Sequence, residues 1–246
     1  MAAKVQQPTQ SQSIVLLNVN GIRSSLVELK EFIYSFNPAI ICINETHLKP
    51  DKSFKFHRYQ IFRKDRAIEK KGGLLILVRN GIRSQIQPVQ VFPGGVLETL
   101  CVRVFFLGKF CNVLLIYNPC CTVSAGEFHH YFAACDPNSI ICGDFNAHHA
   151  MWEPSKLPSS QNSTGHSLFH EFSSNPAVQL LTPPDMATRV DPRTGLTSTI
   201  DLFFGIGSLT KYNSIHLGPD VDSDHTPVVL NYRASSESLR SKCRPR

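Results

Sequence analysis

A chain of 246 residues, 42% hydrophobic and 18% charged, has the make-up of a globular protein and the length of one large domain or two small ones. No apolar run approaches the roughly 18 residues needed to cross a bilayer, so no spanning helix and no membrane partner is expected, and the opening "MAAKVQQPTQSQS" lacks the apolar stretch of a secretory signal. The formal charge of +6 is compatible with a polyanionic partner without requiring one.

In chain order, residues 1–13 read as a flexible polar lead-in, followed by an apolar strand at 14–19 that carries Asn18 near its end. "SSLVELKEFIYSFN" then puts Leu26, Leu29, Ile33 and Phe36 on one helical face, with Ser24 or Ser25 as N-cap and Asn37-Pro38 as the stop. A second strand, 39–44, leads directly into Glu45. "KFHRYQIFRKDRAIEKK", residues 55–71, is dense in basic side chains and reads either as a solvated surface segment or as a rail along a phosphate backbone. Strands follow at 74–78, 96–106 and 112–117, the last closing on Tyr117 and Asn118. After a helix in "SAGEFHHYFAACD" comes a strand at 139–142 that Gly143 is expected to end, with Asp144, Asn146, His148 and His149 beyond it. "STGHSLFHEFSSN" reads as a helix with a Ser or Thr start and with Leu168, Phe169 and Phe172 on one side. Strands at 199–204, 214–217 and 226–232 complete the pattern, the first containing Asp201 and the last preceded by "DSDH", Asp222 to His225. Residues 233–246, rich in Ser and Arg, have little to bury and read as a basic tail or linker, so the folded domain is placed at 14–232. Alternation of strand and helix early, with strand following strand later, favours a layered α/β protein of two packed sheets over a single doubly wound sheet.

Of the eight cysteines, Cys42, Cys101, Cys111 and Cys142 lie in or beside apolar runs, as small buried hydrophobes do. Cys120 and Cys121 share a loop, and no C-x-x-C pair exists, so the chain reads as intracellular and reduced.

The stretch "SIICGDFNAHHAMWEP" admits three readings: Asp144, His148 and His149 as a metal site, Asp144 and Asn146 as a phosphate-handling pair, or plain strand termination. Other strand ends inform the choice. Asn18, Glu45, Tyr117, Asp201 and His225 each have an ordinary explanation alone, yet six apolar segments each deliver an acid, amide, phenol or imidazole to one end. Asp201, inside "TIDLFF", would be costly to bury without a partner. Phosphodiester hydrolysis needs such a set: a metal on Glu45, Asp144 to orient or deprotonate water, and Asn18, Asn146 and Tyr117 as phosphate donors. An Asp201–His225 pair would favour a protonated imidazole.

The ordered series "LLNVNGIRS", "ICINETHL", "KKGGLLILV", "LLIYNP", "IICGDFNAHH", "STIDLFF" and "VDSDHTPV" resembles the endonuclease/exonuclease/phosphatase superfamily. Within it, the chain is most similar to the apurinic-endonuclease-like endonuclease domain of non-LTR (LINE-type) retrotransposons. The resemblance implies a four-layered α/β sandwich of the DNase I-like kind, a divalent metal (Mg²⁺, with Mn²⁺ as the alternative), and nicking of double-stranded DNA to leave a 3′-hydroxyl. That end would prime a reverse transcriptase domain of the same polyprotein, with chromosomal DNA in the nucleus as the place of action and this chain as a fragment of the whole. Carried onto this chain, it makes Asn18, Tyr117, Asp144, Asn146, Asp201 and His225 catalytic and puts Glu45 and Asp224 at the metal. Thr188, Arg189, Arg193, Ser223 and Asn118 become DNA contacts, several of them on or beside a groove-probing hairpin expected at 189–199. An apurinic repair endonuclease or another phosphodiesterase of the superfamily is the alternative. The repair pattern "N-x-D-G" is Asn18-Val19-Asn20-Gly21 here, and "ETK" is Glu45-Thr46-His47, so no phosphate contact is assigned to His47. His148 and His149 are expected beside the site and off the metal.

Overall fold

The computed structural model describes residues 12–66 and 71–233. Most of the lead-in, most of the tail and residues 67–70 of the basic segment lie outside the described residues. The elements are β1 (Ser13–Asn18), α1 (Leu26–Phe36), β2 (Ile40–Asn44), β3 (Tyr59–Lys64), β4 (Leu74–Arg79), β5 (Ser84–Gln87), β6 (Glu98–Phe106) and β7 (Lys109–Tyr117). There follow α2 (Ala125–Ala133), β8 (Ser139–Asp144), α3 (Ser163–Ser174), β9 (Val178–Leu180), β10 (Arg189–Val190), β11 (Thr197–Ser198), β12 (Asp201–Ile206), β13 (Ser214–Leu217) and β14 (Val228–Asn231).

Two six-stranded sheets result, ordered β13-β14-β1-β2-β4-β3 and β5-β6-β7-β8-β12-β9, with β10-β11 as a separate hairpin. Period-two alternation sorts each strand between two cores. Ile14 and Leu16 of β1 and Ile140 and Cys142 of β8 point between the sheets. Val15 and Leu17 turn outward to Leu29 and Ile33 of α1, and Ile141 turns outward to Phe128 and Phe132 of α2. Helix, sheet, sheet, helices: the protein is a four-layered α/β sandwich, not the competing single sheet.

Three strands unforeseen in the sequence, β3, β5 and β9, are sheet edges. Edge strands are short or polar on the face they show to solvent, so "YQIFRK", "SQIQ" and "VQL" carry no apolar run. The segment read as a basic rail thus contains β3. Helix starts also differ. Ser25 makes no capping bond, its hydroxyl donating instead to the Asp222 carbonyl, while α3 is capped by Asn162, which accepts from the Gly165 N–H at 2.7 Å. The lead-in ends earlier than expected, since Ser13 already pairs with Asn231 in β1.

Gly143 does not end its strand; β8 runs through it to Asp144. A Cβ there would lie 1.8 Å from the Ile116 carbonyl oxygen, so close backbone approach demands glycine. Gly143→Ala is expected to cost about 1–3 kcal/mol by overpacking, lowering the thermal midpoint by several degrees in a melt.

Topology gathers the polar strand ends. β1 with β2, and β7 with β8, are parallel pairs joined through helices, so their C-terminal ends lie at one edge of the sandwich. β12 and β14 run antiparallel to their neighbours, which brings their N-terminal ends to that same edge. Asn18, Glu45, Tyr117 and Asp144 therefore arrive from strand exits, and Asp201 and His225 from strand entries.

Candidate active site

Asn18 ties the two sheets together. Its side-chain nitrogen donates to Glu45 Oε1 and to Asp144 Oδ2, both at 2.9 Å, and its oxygen accepts from the Asn20 N–H. Tyr117 is hydrogen-bonded to Glu45, and the His47 ring lies 3.2 Å from the other Glu45 oxygen. Across the site, His225 Nδ1 is 2.8 Å from Asp201 Oδ2, while its Nε2 faces Asp144 Oδ2 at 3.9 Å. Asp144, Asp201 and His225 are all buried. Backbone strain concentrates here: Asn20, Glu45, His47, Cys120, Asn146 and Asp222 all have positive φ. Such conformations cost of order 1–3 kcal/mol each and persist only where surrounding contacts over-determine them.

The electrostatics follow from burial. Loss of solvent and the Asp201 charge push Asp144 up, to about 7, against the pull of His225 and of hydrogen bonds from Asn18 and Asn146. Burial works against the His225 imidazolium, but the charge and hydrogen bond of Asp201, with Asp144 and Asp224 adding, more than offset it and hold the ring up at about 9. Tyr117 is raised by burial, by the Glu45 charge and by their hydrogen bond, so it stays a phenol able to donate.

Asp144, Asp201 and His225 could offer a cation ligand atoms within 4.8 Å of one another. With the ring protonated, however, His225 is not a ligand, and its other nitrogen is committed to Asp201. The oxygen donors fit better. Asp201 Oδ1 is buried without a hydrogen-bond partner, and the Glu45 carboxylate keeps unused lone pairs and is partly exposed. Four acids, Asp224 included, share the site with the His225 and Arg189 cations, an oxygen-rich set suited to a hard divalent ion.

The remaining expected residues divide. Asp224 accepts from Arg189 Nε at 3.0 Å, so this pair occupies the rim together. Asn146 donates its backbone N–H to Asp144 Oδ1 and a side-chain hydrogen to the Asn118 carbonyl. Ser223 donates to the Asn18 carbonyl and accepts from the His225 N–H, lacing β1 to the loop before β14. Arg193 is exposed on the connection of the β10-β11 hairpin, which forms where expected.

Two residues expected at DNA are buried structural groups. Asn118 is fully buried and spends its amide on the Cys121 backbone and the Phe145 carbonyl. Thr188 is fully buried, its hydroxyl accepting from the Ile200 and Asp201 N–H groups and donating to the Ser198 carbonyl. Thr188 therefore fixes the entry of β12, one strand residue from the Asp201 carboxylate. Thr188→Val should leave two buried N–H groups short of an acceptor, costing about 1–3 kcal/mol in denaturant unfolding. A DNA-contacting threonine would instead weaken DNA binding and leave unfolding unchanged.

His148 pairs with buried Glu153 at 2.7 Å, and His149 stacks on Phe169 with ring centroids 4.3 Å apart. Neither belongs to the acid–imidazole cluster. Glu153 was not foreseen: it also accepts from Lys156 and from the Thr199 N–H, bracing the loop after β8 against the lead into β12. Asn44 was passed over in favour of Glu45 beside it. It is fully buried, accepting from the Asp144 N–H at 3.1 Å and donating to the Ile116 carbonyl at 3.0 Å.

Residues 111–229 match the family described as endonuclease-reverse transcriptase. The chain is 24% identical over 233 residues to a probable RNA-directed DNA polymerase from transposon BS of Drosophila melanogaster, the alignment taking in 91% of this chain. The chain thus spans 24% of the length of that relative. Among solved structures, the endonuclease domain of TRAS1, a telomere-specific non-LTR retrotransposon, superposes with a TM-score of 0.73 at 17% identity, covering 91% of this chain and 99% of that one. An AP endonuclease from Archaeoglobus fulgidus gives a TM-score of 0.69 at 17% identity, over 89% and 98% of the two chains. At these identities the structural likeness establishes a shared fold.

Proposed function

We propose that the chain belongs to the apurinic-endonuclease-like endonuclease domains of non-LTR retrotransposons and that it nicks double-stranded DNA by metal-dependent phosphodiester hydrolysis, leaving a 3′-hydroxyl. The observation that carries this reading is the buried Asp201–His225–Asp144 line, joined through the Asn18 amide to Glu45. Asp144 is the proton acceptor for the attacking water, since its raised pKa matches a base working near neutrality. His225, charged and aimed by Asp201, stabilises the anionic transition state. The free side-chain hydrogen of Asn146 is a donor for phosphate oxygens, while the one O–H of Tyr117 is turned to Glu45 and holds that carboxylate in place. Both amide hydrogens of Asn18 are already engaged, so it aligns Glu45 and Asp144.

Glu45 and the Asp201 carboxylate, with Asp224 at the rim, would hold the cation; Mg²⁺ fits such oxygen donors, with Mn²⁺ as the alternative. When bound, it supplies charge neutralisation at the phosphate. Arg189 and Arg193 on the hairpin serve as DNA contacts. The nicked 3′ end then primes a reverse transcriptase domain of the same polyprotein, a step that the match to an RNA-directed DNA polymerase supports; chromosomal DNA in the nucleus is the proposed place of action.

The end chemistry tests the reading. Plasmid nicked by the protein should be extended by a DNA polymerase without prior phosphatase treatment. Ends that extend only after 3′-phosphate removal would overturn it, and strong preference for an abasic duplex over intact DNA would shift it to repair.

The pH profile carries a further prediction. Activity needs the Asp144 carboxylate and the His225 imidazolium, so nicking should rise through the first pKa and fall as pH passes through about 9. The Asp201 charge raises both groups. In Asp201→Asn, both limbs of the bell should therefore move to lower pH. A fixed alkaline limb would show that His225 does not titrate in the reaction.

A further inference from the structure

The parallel ladder between β7 and β8 is braced at its exit. Asn118 donates its N–H to the Asp144 carbonyl, and the register pairs Ile116 with Gly143 and Tyr117 with Asp144. At that step a side chain from the opposite sheet joins the ladder. Asn44, the last residue of β2, accepts from the Asp144 N–H and donates to the Ile116 carbonyl. Its carboxamide is hydrogen-bonded to both partners of one ladder step, 100 residues away in sequence from Asp144.

We propose that Asn44 is a positioning residue for the nicking reaction, its carboxamide spanning the two sheets to set the height and direction of the Asp144 carboxylate. The inference rests on the nuclease reading given above. Three observations support it. An amide alone among uncharged side chains offers a strong acceptor and a strong donor at this separation, so it can stand in for a peptide group. Asn44 is buried, with no solvent to replace either bond. Its chain neighbour is Glu45, so one backbone segment fixes both carboxylates that share the Asn18 amide. The two sheets carry opposite halves of the site, and sliding one against the other would separate Glu45 from Asp144. A rigid inter-sheet bridge beside the reacting groups prevents that slide; a displacement on the order of 1 Å can cost 10²-fold in rate.

Wild type, Asn44→Leu (similar volume, no hydrogen bonds) and Asn44→Ala are compared for plasmid nicking in Mg²⁺, normalised to the folded fraction from a thermal melt. A control variant, Tyr232→Phe, removes another buried bond, the one Tyr232 donates to the Leu209 carbonyl past the C-terminal end of β14, the end away from the site. Both Asn44 variants should lose about 10- to 100-fold in kcat while KM for DNA stays within about threefold; Tyr232→Phe should lower the melting midpoint with kcat kept. Per-molecule kcat equal to wild type in either folded Asn44 variant would overturn the proposal, as would equal loss in the control. If neither Asn44 variant folds, Asn44→Asp, which keeps the acceptor for the Asp144 N–H, decides by the same kcat criterion. A wild type that does not nick at all would refute the nuclease reading itself, a result distinguishable from failure of the variants alone.

Discussion

Asp144→Asn should lower single-turnover nicking by on the order of 10²–10⁴, the usual worth of a positioned base, with DNA binding little changed. The substitution keeps the shape of the side chain and one of the two bonds it accepts, from Asn18 or from the Asn146 N–H, but removes the proton acceptor. It should also be well tolerated by the fold. Asp144 and Asp201 are two buried acids side by side, and the Asp201 charge raises Asp144, so neutralising Asp144 relieves repulsion. The expected signature is thus a dead enzyme with an equal or higher melting midpoint in the absence of metal. Loss of activity accompanied by unfolding would point to scaffolding instead, and a rate within threefold of wild type would remove Asp144 from the chemistry.

His225→Ala should be as damaging to the rate, on the order of 10²–10³ for loss of a preorganised electrostatic group, but for the opposite structural reason. It strips Asp201 of its only hydrogen-bonded side-chain partner among the described residues and leaves a buried carboxylate. Removing one member of a buried pair commonly costs about 3–5 kcal/mol. Activity and stability should therefore fall together. His225→Asn, able to keep one hydrogen bond to Asp201, should recover stability but not rate. Recovery of both would mean that the ring's charge is unnecessary. Denaturant unfolding, run beside the nicking assay, separates the cases.

The strand ends were readable from sequence because two independent requirements coincide there. Apolar runs such as "SIICGD" and "STIDLFF" mark strands covered on both faces, and a polar residue at such an end must be exposed or partnered. The layered fold was legible for the same reason. What stayed hidden depends on partners distant in sequence. β3, β5 and β9 are defined by the neighbour each pairs with, not by their own composition. Thr188 and Asn118 sit in loops that look like surface, yet their side chains satisfy backbone groups of β12 and of the turn after β7. Asn44 reads as an ordinary strand terminus until Asp144 and Ile116 are brought against it. Gly143 reads as a stop because glycine often is one; the Ile116 carbonyl, 27 residues earlier, is what requires it. The two histidines at 148 and 149, which first suggest a metal site, are drawn off by Glu153 and Phe169.

Conversion of supercoiled plasmid to nicked circles by the folded wild-type chain, with Mg²⁺ and then with EDTA, tests the central claim most directly. Nicking in Mg²⁺, abolished by EDTA and restored by excess Mg²⁺, is the predicted result, with Asp144→Asn inactive throughout. Nicking that persists in EDTA, or that Asp144→Asn performs as well as wild type, would contradict it.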